Sequence, residues 1–176
     1  MSVTTKKGDA GQTDLLFGER IDKDDIRIEI FGCLDECSSH IGMARSQLKE
    51  KRVNDFLEAV QRELFVIGAE IATFESNFGQ LKKRIDESYV KRIEELIIEF
   101  EKEKNYEECC FYLPGENLCS TTLDVARTVT RRLERRLVTF KKRHLLTNNH
   151  IIPYANRLSD LLFILSRRYE TQSIKV

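Results

Sequence analysis

The densest charge in the chain lies between Arg127 and Arg136. Arg127, Arg131, Arg132, Arg135 and Arg136 occur there with Glu134 as the one acid. Arg127, Arg131 and Arg135 recur every four residues, so on a helix they share one face. Like charges stacked in this way repel each other unless something negative lies against them. Guanidinium forks match phosphate and carboxylate oxygens. Three uses are open to this face: phosphate binding, ion pairs with the glutamates of the segment 87–103, or simple solvation. An aromatic-interleaved surface for bases is absent, which argues against nucleic acid.

A second group is the N-terminal run Thr5, Lys6, Lys7, Gly8, Asp9, Ala10, Gly11, Gln12, Thr13 and Asp14. Glycines let the backbone curl so that its N–H groups converge on an anion. No Gly-Lys-Ser/Thr ends the run, so it is not a Walker A loop. The residues alone fit a loose terminus as well as a phosphate loop. Asp35-Glu36, Asn156 and the pair Phe111-Tyr112 before Pro114-Gly115 are further candidates. Asp35 fits a surface acid or a partner for an arginine of the basic face, within the chain or across a subunit boundary. Asn156 fits a ligand donor or a first-turn helix residue. Phe111 fits a cap on the core or a ring offered to a flat ligand.

Several catalytic schemes fail on inventory. His40, His144 and His150 all lack a Glu three residues before them, so the di-iron Glu-x-x-His pair is missing. GxSxG and HExxH are absent. The five cysteines form no CxxC, and buried, reduced thiols are expected. No metal ligand is assigned.

The elements that must position these groups are helices. Only Pro114 and Pro153 occur, and three of the eight glycines (Gly8, Gly11 and Gly18) fall in the first eighteen residues. Residues 1–24 read as a non-helical arm and 25–176 as one bundle. Asp24 and Asp25 mark the start of a first helix carrying Phe31, Leu34, Ser38, Ile41, Arg45 and Leu48 inward. A second runs from Val53 past Phe74 and stops near Asn77-Phe78-Gly79. A third starts at Asp86. A fourth starts near Ser120-Thr121-Thr122, with Thr121 and Asp124 as a capping pair, and turns Val125, Val129, Leu133, Leu137 and Phe140 inward. A fifth carries Ile151 to Leu165 and ends near Arg168-Tyr169. The expected fold is all-α, a five-helix bundle.

Charge and hydropathy narrow the partners. Lys+Arg and Asp+Glu are 29 each, giving a formal net charge of zero. A general nucleic-acid coat needs a basic excess. No apolar run reaches the ~20 residues of a membrane span, and the polar N-terminus lacks a signal core. The expectation is a soluble cytoplasmic protein.

Taken together the segments resemble a known family, the ATP:cob(I)alamin adenosyltransferases of the propanediol-utilisation type. TKKGDAGQT resembles the family's TKxGDxGxT opening. FGERIDKDD and FGCLDECSSHIGMAR, then FYLPG, ARTVTRRLERRLV and NRLSDLLFILSR, resemble its other signatures in the family's order. Glu116 departs from the family's usual second glycine, and Cys33, Cys37 and Cys119 replace other small residues.

The resemblance implies a ferritin-like, cobalamin adenosyltransferase-like bundle assembling as a homotrimer. It would bind ATP with Mg²⁺ at subunit interfaces and take cob(I)alamin as its second substrate. Thr5, Lys6, Lys7, Gly8, Thr13, Asp14 and Lys23 would wrap the triphosphate. Arg131, Arg132, Glu134, Arg135 and Asn156 would complete the nucleotide site. Asp35 and Arg127 would form an interface ion pair beside the corrinoid, and Phe111 would occupy the lower axial side of cobalt. A cobalamin reductase and an adenosylcobalamin-dependent mutase would be its partners. The alternatives are a non-enzymatic helical adaptor binding an acidic or phosphorylated partner through the arginine face and, more remotely, a di-metal bundle.

Overall fold

Asp25 ends the arm and begins the bundle. Its carboxylate accepts a hydrogen bond from Arg27 N at 2.8 Å, satisfying a backbone donor that the first turn leaves open. The computed structural model describes residue 4, residues 6–103 and residues 110–176. Five helices carry it: α1 Ile26–Arg45, α2 Lys51–Ile71, α3 Glu87–Glu101, α4 Leu118–Lys142 and α5 Ile151–Arg168. Asp86 caps α3 as Asp25 caps α1, accepting from Ser88 N at 2.8 Å. Around the bundle the neighbours run α2, α1, α4, α5, α3, so α4 is flanked by α1 and α5 while α3 rests on α5. Ile41, Leu57, Ile67, Ile93, Leu133, Leu137 and Leu158 meet in the centre and are fully buried.

Four expectations shift. α4 begins at Leu118, and its cap is Asn117, whose Oδ1 accepts from Ser120 N at 2.9 Å. Thr121 instead bonds back to Asn117 O, and Asp124 is buried inside the fold. α2 ends at Ile71, and a 3-10 turn over Glu75–Gln80 follows. The buried stripe of α1 runs through Ile30, Cys33, Leu34, Cys37, Ile41 and Ala44, rotated from the Phe31–Ser38–Arg45 line. The cause is polar: Arg45 faces α2, where it bonds Asn54, Glu58 and Gln61. Val125 is exposed, because the inner line of the first turns of α4 passes through Leu123 and Ala126.

Two short antiparallel pairings complete the fold. In the arm, β1 (Gln12–Asp14) pairs with β2 (Arg20–Asp22) around a single 3-10 turn at Leu16–Gly18. Near the other end, β3 (Tyr112–Leu113) pairs with β4 (Ile174–Lys175), and Val176 N bonds Phe111 O at 3.0 Å. Strands of two or three residues leave no readable period in a sequence, so neither ribbon was expected.

Candidate active site

The arginine face divides into two sets. Arg132 and Arg136 reach across to α1, where Arg132 pairs with Glu36 and Arg136 Nε lies 3.2 Å from Glu29 Oε1. The expected alternative, pairing with the acids of α3, is not made, since α3 is not a neighbour of α4. Arg131 and Arg135 are exposed and form no ion pair among the described residues. They flank Glu134 and, with Val138, line a shallow depression of about 250 Å³. Asn156 joins them from α5, donating through Nδ2 to Glu134 Oε1 at 3.3 Å. Two unpaired guanidinium groups one helical turn apart, beside an amide, make an anion-binding surface.

The arm forms a second basic surface. Lys6, Lys7 and Lys23 are exposed around half-buried Gly8. A Cβ placed at Gly8 would lie 2.9 Å from Lys23 Nζ, so the ammonium lies over the turn in space that a side chain there would make it give up. Gly11 has φ +84°, a left-handed conformation suited to glycine, and its carbonyl accepts from Lys23 N at 2.8 Å. Arg20 Nη2 donates to Lys7 O at 2.7 Å. Thr13 is half-buried opposite Ile21, and exposed Asp14 sits opposite Arg20. Thr5 lies outside the described residues. The hairpin is held to the bundle by buried Leu15 and by Asn77 Nδ2 donating to Glu19 Oε1 at 2.8 Å. No hydrogen bond or ion pair among the described residues links the arm to Arg131 or Arg135.

Asp35 and Arg127 do not meet within the chain. Arg127 Nε bonds Asp124 Oδ1 at 2.9 Å, on its own helix. Asp35 is exposed on α1 at the rim of an apolar groove of about 300 Å³, floored by Leu34, Leu64 and Gly68 and edged by Leu16 and Phe65. Phe111 is 81% exposed, so it does not cap the core; Tyr112, the next residue, is the half-buried ring, stacked against Arg167.

Residues 3–169 match the family model for cobalamin adenosyltransferase. The chain belongs to that family. A corrinoid adenosyltransferase of Citrobacter freundii is 41% identical, with 96% of this chain and 95% of that protein covered. One from Bacillus subtilis is 36% identical, covering 98% and 89%. A variant PduO-type ATP:corrinoid adenosyltransferase from Lactobacillus reuteri, solved in complex with cobalamin and ATP, superposes with TM-score 0.85 at 30% identity. The match covers 99% of this chain and 98% of that one. For another variant of that enzyme, solved with ATP, the TM-score is 0.86 at 31% identity, again with 99% and 98% covered. Membership displaces both the adaptor and the di-metal readings.

Within this cobalamin adenosyltransferase, sequence reasoning overlooked one charged cluster. Asp124, Arg167 and Glu170 are all buried. Arg167 Nη2 pairs with Asp124 and lies 3.0 Å from Glu170 Oε1. The signal was available, because Arg127 follows Asp124 by three residues and so reaches it on a helix. Two thiols are made harder to ionise. Burial pushes Cys37 up to about 11, against a 3.1 Å contact with Thr130 Oγ1 that pulls the other way. Burial raises Cys33 as well, with the Glu29 charge adding to it.

Proposed function

We infer that the chain transfers the 5′-deoxyadenosyl group of ATP to the Co(I) of a reduced corrinoid, giving adenosylcobalamin and triphosphate. The observation that carries this reading, beside family membership, is the unpaired Arg131–Arg135 face with Glu134 and Asn156 next to it. Cobalt's electron pair forms the Co–C5′ bond while the C5′–O bond breaks, and the released pair leaves on triphosphate. No proton is abstracted, so the reaction asks for no histidine. It asks for alignment of cobalt with carbon and for positive charge where the leaving group becomes more negative.

The residues divide by task. Arg131 and Arg135 carry the phosphate charge, and Asn156 and Glu134 orient the nucleotide. Arg132, held by Glu36, supports the same face from its α1 side. Thr5, Lys6, Lys7, Gly8, Thr13, Asp14 and Lys23 wrap the triphosphate, with the Gly8 turn bringing backbone and Lys23 ammonium onto one anion. Phe111, an exposed ring, fills the lower axial side of cobalt and keeps water and other ligands off it, which favours Co(I).

A homotrimer with sites at its interfaces fits a site left in parts by one chain. The arm and the Arg131 face are not joined, and Asp35 has no partner among the described residues of its own chain. In the assembly Asp35 meets Arg127 of a second copy, which would share that arginine with Asp124. Mg²⁺ accompanies the phosphates and screens their charge. Among the described residues no group of three or more His, Cys, Asp or Glu converges to hold a metal. An ion bound through phosphate oxygens and water needs no such group, so the metal arrives with the nucleotide. No described helix is long and apolar enough to cross a membrane. A cytoplasmic location suits the partners this chemistry requires, a reductase that supplies Co(I) and a mutase that uses the product.

The test is direct. Purified protein mixed with ATP and chemically reduced cobalamin should give the visible spectrum of adenosylcobalamin and release triphosphate. Absence of both would remove the assignment.

A further inference from the structure

We propose that Arg167 is a positioning residue that fixes the Phe111 loop and Arg127 relative to one another. Its side chain is 1% exposed, and it lies at the junction of three segments. On one side its guanidinium carbon is 5.6 Å from the Tyr112 ring centre, and Tyr112 is the residue next to Phe111. On another it pairs with Asp124 Oδ2, whose second oxygen holds Arg127. On the third it lies 3.0 Å from Glu170 Oε1, while Glu170 Oε2 accepts from Ser173 Oγ at 2.6 Å, just before β4. Phe163 completes the stack, 5.7 Å from Arg167 and 6.0 Å from Arg127.

The charges around it balance. Arg127 and Arg167 face Asp124 and Glu170; Arg167 is held where water does not reach, while Arg127, paired with Asp124, stays partly exposed. A flat guanidinium can satisfy carboxylates along its edge while stacking on rings with its faces, which an ammonium cannot do. Arg167 uses both properties. Its edge determines where Asp124, and through it Arg127, must lie. Its face determines where Tyr112 lies, and Phe111 is joined directly to Tyr112 at the start of β3, its carbonyl bonded to Val176 N. Any tilt of Tyr112 is therefore a tilt of the ring assigned to the lower face of cobalt. Arg167 is buried and so acts through Tyr112 and Asp124.

The inference rests on the lower-face role of Phe111, and the experiment separates the two. Arg167→Lys keeps the charge against Asp124 and Glu170 but loses the stack. Tyr112→Leu keeps every ion pair and loses the same stack from the other side. Each should lower kcat/KM for cobalamin about five- to tenfold while KM for ATP stays within about twofold. Combined, they should cost no more than the worse single variant, because both remove one contact. Bound cob(II)alamin should recover the visible spectrum of a cobalt with a lower ligand, a readout that general loosening of the bundle would not produce. Should Arg167→Lys fail to fold, judged by circular dichroism, Tyr112→Leu decides alone. Unchanged cobalamin kinetics in Tyr112→Leu, or equal losses for ATP and cobalamin, overturns the proposal. If Phe111→Ala slows the cobalamin step while Tyr112→Leu does not, only the positioning role falls. If Phe111→Ala is itself silent, both fall.

Discussion

Replacing Arg131 with alanine should separate catalysis from stability in an unusual direction. The side chain is exposed and makes no ion pair among the described residues, so its loss leaves no carboxylate stranded. Arg135 stands one turn further along α4, and its Nη1 bonds the Arg131 carbonyl at 3.2 Å, a contact the substitution keeps. Like charges four residues apart on a helix cost about 0.2–0.5 kcal/mol. Removing one should therefore stabilise the free protein slightly, by roughly 1 °C in melting temperature for a chain of this size. Turnover should move the other way. A preorganised donor aimed at developing charge is worth about 3 kcal/mol, so kcat should fall by about a hundred- to a thousandfold. Steady-state adenosylation, followed by the visible spectrum, gives the rate. Thermal melts with and without ATP give the stability, and the ATP-induced rise in melting temperature should shrink. Size-exclusion chromatography should return the same assembly as the parent. A melting temperature several degrees lower would refute the reasoning, since it would mean that Arg131 is held by the fold. Unchanged turnover would refute the phosphate role.

Phe111→Ala should slow transfer to cobalamin more than it weakens ATP binding, read as separate KM and kcat values for the two substrates. Asp124→Ala removes a buried acid that serves both Arg127 and Arg167, and should cost about 3–5 kcal/mol in urea unfolding. At pH 8 in the native protein Cys37 should resist a thiol reagent that labels it rapidly in denaturant, because burial holds its pKa up to about 11. By the same linkage the unfolded thiol ionises first as pH rises. Cys37 therefore subtracts stability between the ordinary thiol value of 9.0 and about 11, visible as a falling urea midpoint over that range.

Much of the bundle was legible because its signals are local. Asp25 and Asp86 announce α1 and α3 through the same capping bond, and the apolar period carries all five helices. Asn117 was overlooked because Thr121 and Asp124 offered a competing capping pattern three residues apart. What decided between them is non-local: Arg167, 43 positions along the chain, claims the Asp124 carboxylate. The β3–β4 pairing was hidden for the same reason, since its strands are short and their partners distant in sequence. In the site, spacing placed Arg127, Arg131 and Arg135 on one side of α4. It could not say which arginines of the cluster were already neutralised, because Glu36 and Glu29 reach Arg132 and Arg136 from α1, a neighbour that only packing defines. The individual roles came from motif resemblance, since an exposed Lys6 or Phe111 has no physical signature in a string of letters.

α4 spans 25 residues, about 37 Å of continuous hydrogen-bonded backbone. Arg127, with its tie to the Phe111 loop, and the Arg131–Arg135 face are mounted on it within a few turns of each other. With the roles proposed above, the helix is a ruler: the spacing between the proposed corrinoid end and the proposed triphosphate end is set by helical pitch and not by the flexure of loops. One residue inserted between Arg127 and Arg131 would rotate the two ends by about 100° and misalign them. A full turn inserted there would restore their facing yet leave them about 5 Å too far apart for a bond to form. The connection at Thr147–Asn149 carries no such constraint on that spacing. Variation in the length of this chain therefore has room in its turns and none within that short interval of α4.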